Sequence, residues 1–527
     1  MSENLPQVGR VSSRTQPTKP TKENEPVPTS ALPSLTAASS LPRNADLLVV
    51  GLADTSDGPV LVGVPDDVEK AWAKRHGTSL LASAQSMGAA AKPGTTVVLP
   101  STPGVVVTGL GGVDVTPEQV RRAAGNAVRA AAKVAGDRTL SVALSLETLE
   151  PEVLRGAAEG ALLGAYGYAK ETREATKRPI GSLTVLSAAK DAGAQVAEAA
   201  TVATAVARAR DWVNTPPNAL YPESFAEAAR ALARDARLDV EVLDEKALAR
   251  GGYGGILGVG GGSQRPPRLV RISYAPRGAT THLALVGKGI TFDTGGLNLK
   301  PADGMITMKC DMAGAAAVIA AVRAIADLKL KVKVTAYAAM AENMPSGTAY
   351  RPSDVLTMYG GKTVENANSD AEGRLVMADA IVRAGEDDPD LIVDIATLTG
   401  ACLVALGERV AGLMASDDET ADDLLDAAEA SGEAFWQLPI PDEVRANLSS
   451  EVADLASSGK TRYGGALTAA AFLQAFVADG VRWAHLDIAG PAWNGGAPYD
   501  YVPKGGTGAG VRTLVSLARS LAQRSGT

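Results

Sequence analysis

Histidine is scarce in this chain of 527 residues: there are three, His76, His282 and His485, set far apart. That excludes an HExxH helix and any histidine-rich zinc site. His485, inside an apolar run, reads as a core histidine rather than a ligand. Cysteine is scarcer still. Cys310 and Cys402 rule out a disulfide scaffold and lack the paired spacing of a structural zinc site, so both read as small buried thiols. Aromatic residues are 4% of the chain, while glycine alone numbers 55, a balance that favours helices packed closely on sheets over aromatic binding faces.

Other absences narrow the function. No uncharged apolar run reaches about 18 residues and no apolar leader core opens the chain, so the sequence reads as a cytoplasmic protein with no membrane span. Lysine and arginine total 51 against 59 acids, a net charge of −8 that opposes nucleic acid and anionic membranes. There is no GxSxG elbow. Gly361-Lys362-Thr363 resembles the end of a phosphate loop, but Leu356 stands where its first glycine is needed. Gly258–Gly262 is not GxGxxG and leads into a proline-rich turn.

What remains is an α/β pattern in two domains. Residues 1–42 carry seven of the 30 prolines, many Ser and Thr, and little apolar periodicity, and are expected to be a disordered tail. Residues 43–190 alternate short β-branched runs with Ala-rich segments, an N-terminal α/β domain in which Thr116 and Pro117 announce a helix over Pro117–Val134. An Ala-rich linking helix, residues 191–213, stops at Asn214-Thr215-Pro216-Pro217. Residues 214–527 form the second domain. Its continuous apolar runs, such as Leu283–Gly287 and Leu391–Ala396, suit strands buried on both faces of a mixed, helix-covered sheet.

Chemistry collects in that second domain. Asn368-Ser369-Asp370-Ala371-Glu372-Gly373-Arg374-Leu375 places two carboxylates and a guanidinium within five positions, more than a turn requires. If the segment is extended, Asp370 and Glu372 point the same way. Ligands of such sheets sit beyond the carboxyl ends of the strands. The run ending at Gly287 delivers Lys288 and Asp293 there. Lys300 follows, and Asp311 precedes an Ala-rich helix. Spacing alone leaves two readings, unrelated surface ion pairs or a shared cleft. Four carboxylates sharing a cleft need neutralising, and two divalent cations would do so through oxygen ligands.

The motifs VGKGITFDTGG (Val286–Gly296), KCDMAGA (Lys309–Ala315) and NSDAEGRL (Asn368–Leu375), with the Lys300 segment between the first two, carry a resemblance. In them the chain resembles the leucyl aminopeptidases, the dinuclear-metal cytosolic aminopeptidase family, over nearly all of the second domain. The resemblance implies hydrolysis of the N-terminal peptide bond of peptides with a free N-terminus, leucine among the residues released, by metal-activated water. It makes Lys288, Asp293, Asp311, Asp370 and Glu372 the ligands of two divalent ions, Mn²⁺ or Zn²⁺, with Asp293 and Glu372 serving both. Lys300 and Arg374 become the catalytic cations, with bicarbonate possible at Arg374. Met308, Thr397, Gly400 and Ala489 would border the first side-chain pocket, and six subunits would assemble as a homohexamer. Ser369 and Thr294 stand where the family usually has Thr and Ser, and each keeps its hydroxyl. A DNA-binding role gains no support from the charge. A two-metal phosphoesterase would share the carboxylates without explaining Lys288.

Overall fold

The four strands that carry the site run parallel at the centre of an eight-stranded sheet. A computed structural model describes residues 30–146, 150–170, 172 and 177–524. In the larger sheet the order is Phe435–Gln437, Ala411–Ala415, Arg482–Asp487, Leu391–Ala396, His282–Asp293, Lys333–Asn343, Arg268–Tyr274 and Asp239–Leu243. The middle four, from Arg482–Asp487 to Lys333–Asn343, are mutually parallel. The neighbours on either side turn antiparallel. The middle strands are buried along almost their whole length, which is why they are near-continuous apolar runs. Their carboxyl ends bring Asp487, Ala396, Asp293 and Asn343 to one edge.

The first domain holds a seven-stranded sheet built from Leu47–Thr55 and its neighbours, mostly parallel. The helix Pro117–Val134 starts where Thr116 and Pro117 announced it. Thr116 and Gln119 exchange side-chain to backbone hydrogen bonds in a capping box. The expected disordered tail over residues 1–42 needs correction at its end. Ser34–Ala38 is a strand, paired in parallel with Ile180–Leu186 at the sheet edge. Ser30 donates its backbone N–H and its hydroxyl to Asp211, each at 2.6 Å. SLTAA alternates Leu35 and Ala37 with Ser34 and Thr36, but over five residues in a proline-rich stretch that pattern is too short to read, and pairing and this anchor order it. Residues 1–29 lie outside the described residues.

The linking helix spans Ala192–Asn214 and stops at Thr215, whose extended backbone is what the following proline demands. From Val202 onward its inner face is part of one continuous apolar core that joins both sheets. The helix Ala313–Asp327 is buried on nearly all sides, from Ala313 through Val322 without a break. The segment Ala302–Asp327 is apolar and long enough to cross a membrane, yet 72% of its apolar window is buried within the protein, and it serves as the core helix beneath the site.

Candidate active site

Turns after two of the parallel strands build the site. The strand His282–Asp293 carries Lys288 at its middle and ends on Asp293, both buried. The chain then reverses through Gly295 and Gly296, whose φ values of 84° and 62° lie in the left-handed region that glycine tolerates. Gly295 donates its N–H to Asp293 Oδ1 at 2.8 Å, and Lys300 follows. Asp311 ends the short helical turn Met308–Cys310, just before the core helix.

The stretch Asn368–Leu375 is not extended. Asp370 sits in a turn, and Glu372 is the first residue of the helix Glu372–Gly385. Asn368 closes the turn by accepting the Asp370 N–H on its side chain and the Ala371 N–H on its carbonyl. This is the local alternative to extension that Asn offers. The two carboxylates still converge, because the turn and the helix start wrap around one point. Asp293, Asp370 and Glu372 each bring an oxygen within 4.8 Å of the others.

Two lysines thread the acids. Lys288 Nζ lies 2.8 Å from Asp311 and 2.8 Å from Glu372. Lys300 Nζ lies 2.8 Å from Asp293 and pairs with Asp370. Thus Lys288, Asp293, Lys300, Asp311, Asp370 and Glu372 form one cluster rather than separate surface pairs. Burial pushes Asp293 up to about 6, with Glu372 repulsion added and the two lysines opposing. Burial likewise raises Asp311 and Asp370. Burial would lower the Lys288 ammonium, but Asp311, Glu372 and Asp293 outweigh it and hold it above its ordinary range. Glu372, opposed by burial, is pulled net downward by Lys288 and Lys300.

Four carboxylates against two ammoniums leave the cluster acidic. Asp311 Oδ2 and Glu372 Oε2 are buried and accept no hydrogen bond. Buried carboxylate oxygens left this way are costly unless a cation completes them. An oxygen-rich donor set with one amine suits a divalent metal, so the residues present fit such an ion.

Arg374 stands apart from the ion pairs. It is buried, donates Nη1 to the Ser457 carbonyl at 2.9 Å, and leaves Nε without a partner. Burial lowers it to about 10. Of the four residues expected around a side-chain pocket, Thr397 does more than border one. Its hydroxyl donates to Asp311 Oδ1 at 2.8 Å, and its carbonyl accepts from Lys288 Nζ at 3.0 Å. Met308 and Ala489 are half-buried and Gly400 is exposed at the start of the helix Gly400–Leu406. His485 is a fully buried core histidine, with Nδ1 2.5 Å from Asp394 Oδ1.

Sequence reasoning missed the residues that steady the acids. Asn343 donates Nδ2 to Asp293 Oδ1 at 2.8 Å and to the Ser369 carbonyl at 3.0 Å. Ser369 Oγ bridges Gly295 and Asn298, and Tyr350 donates its hydroxyl to the Ser369 carbonyl. Asn343 reaches Asp293 because it closes the strand that pairs in register with it, a placement no spacing in the sequence shows.

Gly373 lets Lys288 reach across the helix start. A Cβ there would lie 2.5 Å from Lys288 Cε and 2.7 Å from Nζ. Lys288 is pinned by Asp311, Glu372 and Thr397, so it has no free direction in which to yield. Gly373→Ala is expected to keep the fold, at a cost of about 1–3 kcal/mol for overpacking, while displacing the amine. Metal titration followed by calorimetry should show affinity weakened about 10–100-fold, the scale of a disturbed ligand support.

A lysine-threaded cluster of carboxylates with unfilled oxygens, at the carboxyl edge of a mixed sheet, defines a metal-dependent hydrolase. Comparison with known proteins places it further. Residues 207–515 match the catalytic domain of the Cytosol aminopeptidase family, and residues 62–173 match that family's N-terminal domain. The probable cytosol aminopeptidase of Cutibacterium acnes is 54% identical over 91% of this chain and 95% of its own. That of Streptomyces griseus is 49% identical over 93% and 98%. Among solved structures, the bottromycin maturation enzyme BotP in complex with Mn is 40% identical, with a TM-score of 0.80, over 91% of this chain and 100% of that one. A point mutant of tomato leucine aminopeptidase is 31% identical with a TM-score of 0.83, over 95% and 98%. The chain belongs to the cytosol aminopeptidase family and is an aminopeptidase, a metal-dependent hydrolase.

Proposed function

We propose that the enzyme releases leucine and other N-terminal residues from peptides by means of two divalent ions held by Lys288, Asp293, Asp311, Asp370 and Glu372. Asp293 and Glu372 would serve both ions, and Mn²⁺ or Zn²⁺ would fill the sites. The observation that carries this reading is the convergence of four carboxylates with the unpartnered oxygens of Asp311 and Glu372. When bound, the ions supply Lewis acidity towards the scissile carbonyl and lower the pKa of the attacking water.

The chain's own groups do the rest. Asp311, held by Thr397, lies on the side of the cluster that receives the free α-amine. Lys300, which pairs with Asp293 and Asp370, would be free to turn to the carbonyl oxygen once those carboxylates are neutralised, and its ammonium would donate there as charge builds. Arg374, with Nε unpartnered, would hold a bicarbonate, which would supply a base for the attacking water. The site thus needs no protein nucleophile. Peptides with a free N-terminus are the substrates, the cytoplasm the compartment, and a homohexamer the assembly, a set supported by the family membership.

The test is a parallel assay of leucine p-nitroanilide and p-nitrophenyl phosphate. The chelated protein should be inactive on the anilide, and Mn²⁺ or Zn²⁺ should restore activity to it alone. Because Lys288 and Lys300 neutralise part of the acidic cluster without metal, the chelated protein should keep its native circular dichroism. Restored phosphate cleavage with no anilide cleavage would refute the assignment in favour of a phosphoesterase.

A further inference from the structure

A second cavity, remote from the acidic cluster in chemistry, opens where the two domains meet. It has a volume of about 260 Å³ and lies between the helix Pro117–Val134, the linking helix Ala192–Asn214, and the glycine-rich loop that leads into the helix Val511–Arg524. Four guanidinium groups line it, Arg122, Arg210, Arg409 and Arg512, against two carboxylates, Glu433 and Asp500.

The carboxylates are already engaged. Glu433 caps the start of the helix Val511–Arg524, accepting from Gly510 N–H and Thr513 N–H at 2.9 Å each and from the Thr513 hydroxyl at 2.7 Å. Asp500 Oδ1 accepts from Asn126 at 2.9 Å, and its Oδ2 stands 4.0 Å from Arg122 Nε. The guanidiniums are less well served. Arg210, 1% exposed, gives its donors to the carbonyls of Thr507, Leu163 and Tyr501, with no carboxylate at ion-pair distance among the described residues. Burial lowers it to about 10. Arg409 lies over the Tyr499 ring at 3.8 Å and makes no hydrogen bond or ion pair among the described residues. Arg512, 6% exposed, gives Nη2 to the Tyr501 hydroxyl at 2.8 Å. Its Nη1 is buried without a hydrogen bond, and the nearest carboxylate oxygen, on Glu118, is 4.0 Å away.

Charges behind the walls reduce this excess without cancelling it. Arg121 pairs with Glu118 and Glu159, Arg122 with Glu118, and Arg129 gives its donors to the carbonyls of Val502 and Pro498. With Asp211 beside Arg210 counted, six guanidiniums stand against five carboxylates, an excess of one positive charge around the cavity. A buried arginine donor without an acceptor is expensive, and guanidinium matches planar or tetrahedral oxyanions through paired hydrogen bonds.

We propose that this interdomain cavity binds a small oxyanion, a phosphate monoester or a dicarboxylate, through Arg122 and Arg409, with the buried Arg512 adding positive charge from the wall. The volume suits a compact metabolite rather than a larger, drug-sized ligand. Aminopeptidase chemistry uses none of these residues.

The test uses the metal-loaded enzyme. Crystals soaked in selenate should show an anomalous selenium peak inside the cavity, and calorimetry should show saturable binding of glycerol 3-phosphate or of malate; the tighter of the two identifies the ligand class. Arg409→Ala removes a side chain held by ring stacking, so the fold and turnover on leucine p-nitroanilide should be unchanged. The same variant should weaken the anion about 10-fold or more, the loss of one charge-assisted donor group. Arg122→Ala, at a side chain 53% exposed, gives an independent second measurement. Affinity unchanged in both variants overturns the proposal, as does the absence of a selenate peak in the cavity. A selenate peak with no saturable binding in solution marks an adventitious ion only and overturns it equally.

Discussion

Glu372→Gln is expected to remove bound metal and turnover together, while a conservative change elsewhere on the same helix removes neither. Glu372 is 2% exposed, gives one oxygen to Lys288 at 2.8 Å, and leaves the other without a partner. It is also one of the three carboxylates whose oxygens converge within 4.8 Å. Glutamine keeps the volume but carries no charge, and turns an N–H₂ group toward a site built for cations. Metal content by elemental analysis should fall to a small fraction of wild type. Turnover on leucine p-nitroanilide should drop by about 1,000-fold or more, at the upper end of what one removed electrostatic group costs. The metal-free variant has a second signature. Lys288 keeps Asp311 but loses half of its pairing in a dry environment, and breaking a buried ion pair typically costs about 3–5 kcal/mol. Its thermal midpoint should therefore lie below that of chelated wild type. Full metal occupancy in Glu372→Gln would show that Glu372 is not shared between the ions.

That outcome matters because the sequence showed which residues meet more clearly than how they meet. The central strands were legible: runs such as Leu283–Gly287 and Leu391–Ala396 are apolar on every residue or nearly so, because helices cover both sheet faces. Their parallel course then fixes which ends carry the loops. What escaped had no period long enough to read. Ser34–Ala38 is too short for its alternation to stand out and exists through its pairing with Ile180–Leu186. Ala411–Ala415, short and without polar alternation, is ordered by its antiparallel register with Arg482–Asp487. The conformation of Asp370–Glu372 turned on Asn368, whose side chain closes a turn that a carboxylate count does not reveal.

The same limit applies to Thr397 and Asn343. Each acts through a hydrogen bond to a residue far along the chain, Asp311 and Asp293 respectively. Such contacts depend on strand register, and no spacing within a single segment encodes them. Aspartate and lysine could be singled out because a buried charge must be compensated somewhere, which makes each one a question about its partner. Threonine and asparagine raise no such question until the partner is seen.

Lys300→Ala should separate chemistry from metal binding, the opposite pattern to Glu372→Gln. The two lysines of the cluster differ in a way that assigns them different work. The Lys288 side chain is 3% exposed, pinned between Asp311 and Glu372 and under the carbonyl of Thr397. It sits among the ligands. The Lys300 side chain is 18% exposed, reaches Asp293 and Asp370 from the loop after Gly295-Gly296, and pairs on its other side with an aspartate whose side chain is 34% exposed. It sits nearer the surface, where the proposed reaction would bring the substrate carbonyl. An ammonium there is most valuable when the carbonyl oxygen becomes negative, so its loss should fall on kcat more than on KM. Turnover is expected to drop about 100–1,000-fold, with metal content unchanged and KM altered by no more than a few fold. Lys300→Arg should recover only part of the rate, since a planar guanidinium cannot place a single donor where the ammonium stood. If Lys300→Ala instead loses metal as Glu372→Gln does, Lys300 belongs to the cation cradle and the oxyanion must be met by another donor, for which Arg374 with its unpartnered Nε is the nearest candidate in chemistry.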